Sequence, residues 1–385
     1  MKFHFAKVQD VVGFATENAK GGEDVRVLER ALLTSDAPEF YQYSAHISSL
    51  FLVPAKVLID TVYRFLVVIH ADLSTDLYVN DFSVAVEIIP KKDVKAGDLV
   101  MHGDIADVRR VKFPDIDINE TDRVIYCFKV FWRFGLFFDL APRIKPAEAL
   151  QPVHVEKLDL ESATNSIGEL YRYLMFYHLY KSLESGPQFE EILKDGWFPF
   201  IEIASNEYKQ LAEAYESKFN FEDRVASVVN AFGPDRIKML ADKWWRKDVF
   251  SRKRSLIEAG VAAYVENTQA GFVNCIKTLS SEIEGVLRML YFSETGKGDD
   301  VKSTELIRHI IDKVKKKAGS DMSLLLPMEF LRYLQEVLFA GFSVEAGKIP
   351  MSRHTSSHGV AETELYTKAH ALQLILVLDQ ICYYI

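Results

Sequence analysis

The spacing of hydrophobic positions changes near residue 160, and that change divides the chain. Before it, apolar and polar residues alternate over Ser83–Ile89, while Val124–Val130 and Phe131–Leu140 are rich in β-branched and aromatic residues. Both patterns predict strands. Gly97 with Asp98 and Gly103 with Asp104 mark turns. Val57–Ile69 is apolar at 58, 62, 65, 66 and 69, which fits a helix. Asp139-Leu140-Ala141-Pro142 closes the strand-rich part, and Lys145-Pro146 to Gln151-Pro152 reads as a linker.

Beyond residue 160 the period is helical. Leu170, Leu174, Tyr177 and Tyr180 predict one helix, ended by Ser185-Gly186-Pro187. Tyr208–Phe219 is a second and Phe221–Phe232, stopped by Gly233-Pro234, a third. Ile257, Val261, Tyr264 and Val265 form a further stripe. The cleanest helix carries Phe272, Ile276, Leu279, Ile283, Val286 and Leu290 at alternating spacings of four and three. After a Gly- and charge-rich loop at Ser293–Asp300, helices are expected over Val301–Lys317, Leu325–Leu338 and Ala361–Tyr384. The expected class is α+β: a sheet-containing domain at 1–150, a helical connector at 151–220 and an all-α domain at 221–385.

Composition narrows this picture. The 385 residues are 49% hydrophobic and 26% charged, as in soluble globular proteins. No uninterrupted apolar run reaches the ~18 residues of a membrane span. The N-terminus Met1-Lys2-Phe3-His4-Phe5 has no signal-peptide core, so a cytoplasmic protein is expected. Cys127, Cys275 and Cys382 are too far apart in sequence for a paired ligand motif and are read as reduced thiols, with no metal and no cofactor.

The net charge of −9 argues against broad coating of nucleic acid. Residues 1–220 carry 24 Lys+Arg against 34 Asp+Glu, whereas the remainder is nearly neutral. The best candidate for a face that grips RNA is Lys243, Arg246, Lys247, Arg252, Lys253 and Arg254, interleaved with Trp244 and Trp245. The competing reading is a solvated helix face with the tryptophans in the core.

Chemistry concentrates in Ser352-Arg353-His354-Thr355-Ser356-Ser357-His358-Gly359. An arginine grips phosphate through paired donors, and histidines move protons near neutral pH. Arg353 and His358, four residues intervening, make a compact set for phosphodiester cleavage. Five positions on an ideal helix place the two side chains about 140° apart, so they do not share one face. Other motifs carry less. Ser356 and Ser357 lack a nucleophile elbow and suit helix capping. Gly341 to Gly347-Lys348 is rejected as a phosphate loop, because its glycines are one residue too far apart and Ile349 replaces the hydroxyl. Asp115, Asp117 and Glu120 lack the glycine and final glutamate of a calcium loop, and His46, His70 and His102 have no ligand spacing.

Residues 221–385 resemble bacterial HEPN-type domains. The likeness rests on Arg254–Ala259, Ala263-Tyr264, Phe272–Ile276 and Ile283-Glu284-Gly285-Val286-Leu287-Arg288. It also rests on the Arg-x4-His element Arg353–His358, which in the family opens the last helix. Where the family most often carries Asn or Asp after the arginine, this chain carries His354. The resemblance implies a metal-independent endoribonuclease, a homodimer whose paired motifs face each other, of a toxin or phage-defence kind with an antitoxin or activator partner. In that reading His358 takes or gives the proton, His354 is a second proton carrier or an orienting donor, and Arg353 holds the phosphate. Glu284 then pairs with Arg353 or a histidine and fixes its orientation, although a surface pair with Arg288, four residues on, is the simpler role for it. The alternative function is a helical binding module without catalysis.

Overall fold

The computed structural model describes residues 1–7, 15–16, 20–24, 27–28, 31–139, 157–298, 300–343 and 350–385. The expected linker at 145–152 and Gly347-Lys348-Ile349 of the rejected phosphate loop lie outside the described residues. The fold is α+β, a sheet-containing N-terminal region followed by a helical one. Two compact units emerge: residues 1–89 with 108–177, and residues 90–107 with 178–385. This differs from the expected boundaries at 150 and 220.

The first unit is built on a sheet. Its described strands are β1 (Lys2–Phe5), β2 (Ala15–Thr16), β3 (Val27–Leu28), β4 (Ala31–Thr34), β5 (Arg64–Ile69) and β6 (Thr75–Val79), followed by β7 (Ala85–Pro90), β8 (Ile105–Lys112), β9 (Arg123–Val130) and β10 (Arg133–Asp139). Six of them form an antiparallel sheet in the order β1-β6-β5-β9-β10-β4, while β2 pairs with β3 and β7 with β8. Helix α1 (Pro38–Ile47) covers one face, where Phe40 and Ile47 join Phe65, Val67, Ile69 and Leu136. Helix α2 (Leu160–Met175) covers the other, burying Ala163, Ile167, Leu170 and Leu174 against Leu66, Val68, Tyr126 and Phe128. That stripe explains why residues 160–175 belong with the sheet and not with a connector.

The helix expected over Val57–Ile69 is a correction. The segment is a short 3-10 turn at Ile59–Thr61 followed by strand β5. Because β5 lies between β6 and β9 and is covered on both faces, its apolar run is unbroken and the alternation that signals a strand is lost. The expected strand at Phe131 also begins later: Phe131 (φ 55°) and Trp132 form the turn into β10. Gly168 marks a close crossing, since a Cβ there would sit 2.6 Å from the Arg109 carbonyl oxygen and from Arg110 Cα.

The second unit is helical, with α3 (Tyr177–Glu184) starting at its edge. It continues through α4 (Gly186–Lys194), α5 (Asn206–Ser217), α6 (Phe221–Asn230), α7 (Pro234–Trp244), α8 (Asp248–Arg252) and α9 (Arg254–Val265). Then come α10 (Gln269–Thr295), α11 (Ser303–Ala318), α12 (Pro327–Tyr333), α13 (Arg353–His358) and α14 (Lys368–Tyr384). Gly186-Pro187 and Gly233-Pro234 do more than stop the preceding helix: each opens the next, because proline suits the first helical turn.

Helix α14 is the centre of this unit. Every residue from Ala371 to Cys382 is buried, polar ones included, the mark of a helix enclosed on all sides. The buried polar groups are satisfied by specific partners. Gln373 Nε2 donates to the Asp195 carbonyl oxygen (2.9 Å), Gln380 Oε1 accepts from the Ile201 amide (2.7 Å), and Trp244 Nε1 donates to Asp379 Oδ1 (2.8 Å). The Gln380 bond gives the Ile201 amide, in the irregular and buried Trp197–Ala204 stretch, a partner.

Candidate functional site

Local sequence builds a six-residue helix around the arginine. Ser352 is the N-cap of α13: its Oγ accepts from the Thr355 amide (3.3 Å), and Thr355 Oγ1 accepts in return from the Ser352 amide (2.9 Å). Ser352 Oγ also donates to the Ala340 carbonyl (3.0 Å), and Thr355 Oγ1 to that of Pro350 (2.6 Å). Gly359, at φ 70°, ends the helix. A new helix starts only at Lys368, with Thr367 as N-cap accepting from the His370 amide. The motif therefore does not open the last helix, as the resemblance implied, and Ala361–Tyr384 is not one helix. Ser356 and Ser357 do not cap; Ser352 does.

Arg353 is the first residue of α13 and His358 the last. The arginine points at α10, where its Nη2 lies 2.5 Å from Glu284 Oε2. The same carboxylate receives Arg288 Nε through Oε1 (2.8 Å), so Glu284 bridges both arginines. Its side chain is 9% exposed and that of Arg353 26%. The Arg353 approach lies off the hydrogen-bond line, and Arg353 Nε and Ser356 Oγ are buried without hydrogen-bond partners among the described residues. Buried donors and acceptors rarely stay unpaired, so these atoms mark a place where a further partner would be stabilised.

The histidines differ from each other. His354 is half-buried, and its Nδ1 lies 3.4 Å from Arg353 Nη1. Burial foremost, and then the Arg353 charge, hold its pKa below the ordinary histidine value, so it is neutral at pH 7. A neutral ring that accepts at Nδ1 carries its proton on Nε2. His358 is exposed, with its ring 5.8 Å from that of Phe342. Neither ring is sealed in the core.

The basic stretch is mostly compensated. Lys243 lies 3.6 Å from Glu202, Arg246 2.5 Å from Asp93, Arg252 2.7 Å from Asp248, Lys253 2.7 Å from Glu282 and Arg254 2.7 Å from Glu258. Of the six cations Lys247 alone has no such carboxylate among the described residues. Trp244 is buried in the unit's core, while Trp245 lies beneath the Arg254 guanidinium. The arrangement is the solvated face weighed against an RNA surface.

Among the described residues no three His, Cys, Asp or Glu side chains gather as a metal would need. The thiols of Cys127, Cys275 and Cys382 are buried, and burial pushes each up to about 12. No described helix is long and apolar enough to cross a membrane. A group that the sequence reasoning missed lies around Asp195, His370 and Gln373, which line one pocket. Gln373, a polar residue in the otherwise apolar middle of α14, was its available signal.

Comparison of the chain with protein-family models, curated proteins and solved structures finds no match.

Proposed function

We propose that the chain is a metal-independent endoribonuclease of the HEPN kind, working in the cytoplasm as a homodimer and serving as a toxin or phage-defence effector. One observation carries the reading. A buried carboxylate, Glu284, holds the Arg353 guanidinium at the head of a short helix that also bears His354 and the exposed His358. RNA supplies its own nucleophile, the 2′-hydroxyl beside each phosphate. His358 takes the hydroxyl proton, and the freed oxygen attacks the adjacent phosphorus. The bond to the 5′-oxygen breaks as that oxygen takes the proton held on His358, leaving a cyclic phosphate, while the His354 Nε2–H serves as an orienting donor. Arg353 grips the phosphate and offsets the charge that builds on its oxygens. The 140° between Arg353 and His358 on one helix is met by pairing motifs from two subunits.

The competing reading is a helical binding module that acts on no RNA. The same buried Arg353–Glu284 pair favours it, because an arginine already matched to a carboxylate braces two helices. Incubation of the protein with single-stranded RNA in EDTA, with Arg353→Ala, His358→Ala and Glu284→Gln alongside, separates the two. The nuclease reading expects cleavage by wild type and none by the first two variants. It also expects a slower rate for Glu284→Gln at unchanged helical content. Intact RNA with wild type, with or without an activator or antitoxin partner removed, or undiminished cleavage by Arg353→Ala, refutes it.

A further inference from the structure

The hairpin joining β9 to β10 closes in two residues: Val130 pairs with Arg133, leaving Phe131 and Trp132 as the turn. Such turns take glycine, asparagine or aspartate where φ is positive. Here Phe131 holds φ 55°, a left-handed backbone that disfavours a bulky side chain. Phe131 is 63% exposed and Trp132 71%, and neither ring belongs to the two cores that flank the sheet. Backbone strain that presents large rings to water is the kind that collects where a protein meets a ligand.

Trp132 is held in a defined pose. The Arg133 guanidinium lies over its ring at 4.0 Å and over the Tyr177 ring at 3.5 Å. Arg133 is itself fixed, with a side chain only 11% exposed whose Nη1 donates to Asp36. Since the guanidinium covers one face of the indole, the exposure of Trp132 belongs to the opposite face and the edge. A pre-set open aromatic face is a stacking platform, and every nucleobase offers a flat π surface to it. A cation stands nearby. Lys129 of β9 is exposed and pairs across the hairpin with Phe134, its ammonium 5.2 Å from that ring. No carboxylate lies within ion-pair distance of Lys129 among the described residues. Phe134 is two residues on from Trp132, roughly 7 Å along the chain.

We propose that this hairpin binds single-stranded nucleic acid, one base stacking on the open face of Trp132 and the neighbouring phosphate resting on Lys129. A free nucleotide would be covered on one side only, whereas small-molecule sites bury most of their ligand. A strand adds contacts along its length, so the occupant is a polymer. A bilayer fits less well, because an indole pinned against a guanidinium offers a face and not a ring free to sink among lipid chains. Residues 1–220 are acidic, so affinity comes from stacking more than from counterion release. The inference concerns the first unit alone and is read as binding, so it and the nuclease reading fail separately.

The test is anisotropy titration of the full chain, in EDTA, with fluorescein-labelled dodecathymidylate and, separately, dodecauridylate. The DNA strand has no 2′-hydroxyl and survives any cleavage that uses one. Saturable binding is expected, with a slope of log affinity against log salt near about −0.7, that of one phosphate contact. Trp132→Ala should weaken binding roughly tenfold or more, and Trp132→Phe, which keeps a ring, by less than about threefold. The bound strand should quench Trp132 emission, and that quench should vanish in Trp132→Phe while anisotropy still reports binding. Lys129→Ala should flatten the salt slope; with the lost quench it decides the matter should Trp132→Ala fail to fold. A preference of about tenfold or more for one strand assigns RNA or DNA as the natural ligand, and comparable binding assigns single strands of either sugar. No anisotropy change at about 100 μM protein, undiminished binding by a folded Trp132→Ala, or a salt slope steeper than about −2 overturns the proposal. So does Trp132-dependent sedimentation with phosphatidylserine vesicles in the absence of strand binding, which assigns the tip to a membrane surface.

Discussion

Asp379 sits on the central helix and, among the described residues, accepts one hydrogen bond, from the Trp244 indole N–H at 2.8 Å. Burial is the largest influence on its carboxyl, and pushes its pKa up to about 6. Lys243 and Lys91 pull the value down and Glu202 pulls it up, without reversing that rise. The folded state therefore holds a proton that the unfolded chain releases at about pH 4. Between those values the native protein binds more protons than the unfolded one, so stability is lost as pH rises through this window. The window is about two pH units wide, and each unit costs about 1.4 kcal/mol. The full penalty is therefore about 3 kcal/mol, complete by pH 7, with roughly half present at pH 5.

Asp379→Asn removes the ionisation while its side-chain oxygen still accepts from Trp244. Its new N–H₂ group introduces a separate penalty that does not vary with pH, so the informative quantity is the change in the variant's advantage across the window. From pH 5 to pH 8 that advantage should grow by about 1 to 2 kcal/mol, which in a unit of this size is roughly 3–6 °C of Tm. Paired thermal melts followed by circular dichroism in matched ionic strength read it directly. A Tm difference that stays flat over pH 5–8, or that shrinks with rising pH, refutes the reasoning about the buried carboxyl.

Gly168→Ala places a methyl 2.6 Å from the backbone of β8, which no rotamer change can relieve. The clash should outweigh the ~1 kcal/mol gain in helix propensity and leave a net loss of about 1–2 kcal/mol, read as a lower urea midpoint. The three cysteines, buried and with thiols raised to about 12, should resist iodoacetamide in the native protein at pH 8 and react together in urea. Rapid native labelling of Cys382 would contradict its placement on the enclosed face of α14.

Much of the helical region was legible in the sequence because long helices such as α10 and α11 each bury one stripe. Phe272–Leu290 lies within α10, and the stretch ends at Gly296 in the left-handed conformation that a glycine C-cap adopts. Ala85–Pro90 was legible from the alternation of residue types over Ser83–Ile89, although all six of its residues are half-buried. β5 was not, because packing on both faces erases its period. Nor could sequence distance reveal that α2 belongs with the sheet, since its stripe reads the same whatever covers it.

At the candidate site the residue types and their spacing were available from the chain alone: an arginine, two histidines and the capping hydroxyls. That Glu284 bridges Arg353 and Arg288, that Gly359 cuts the motif off from α14, and that the basic stretch is matched by distant acids depended on the tertiary structure. The pocket around Asp195 and His370 did too, being assembled from segments some 175 residues apart. Local chemistry and periodicity are properties of neighbours along the chain, whereas partnership between charges and the enclosure of a carboxylate such as Asp379 arise only when remote segments exclude water together.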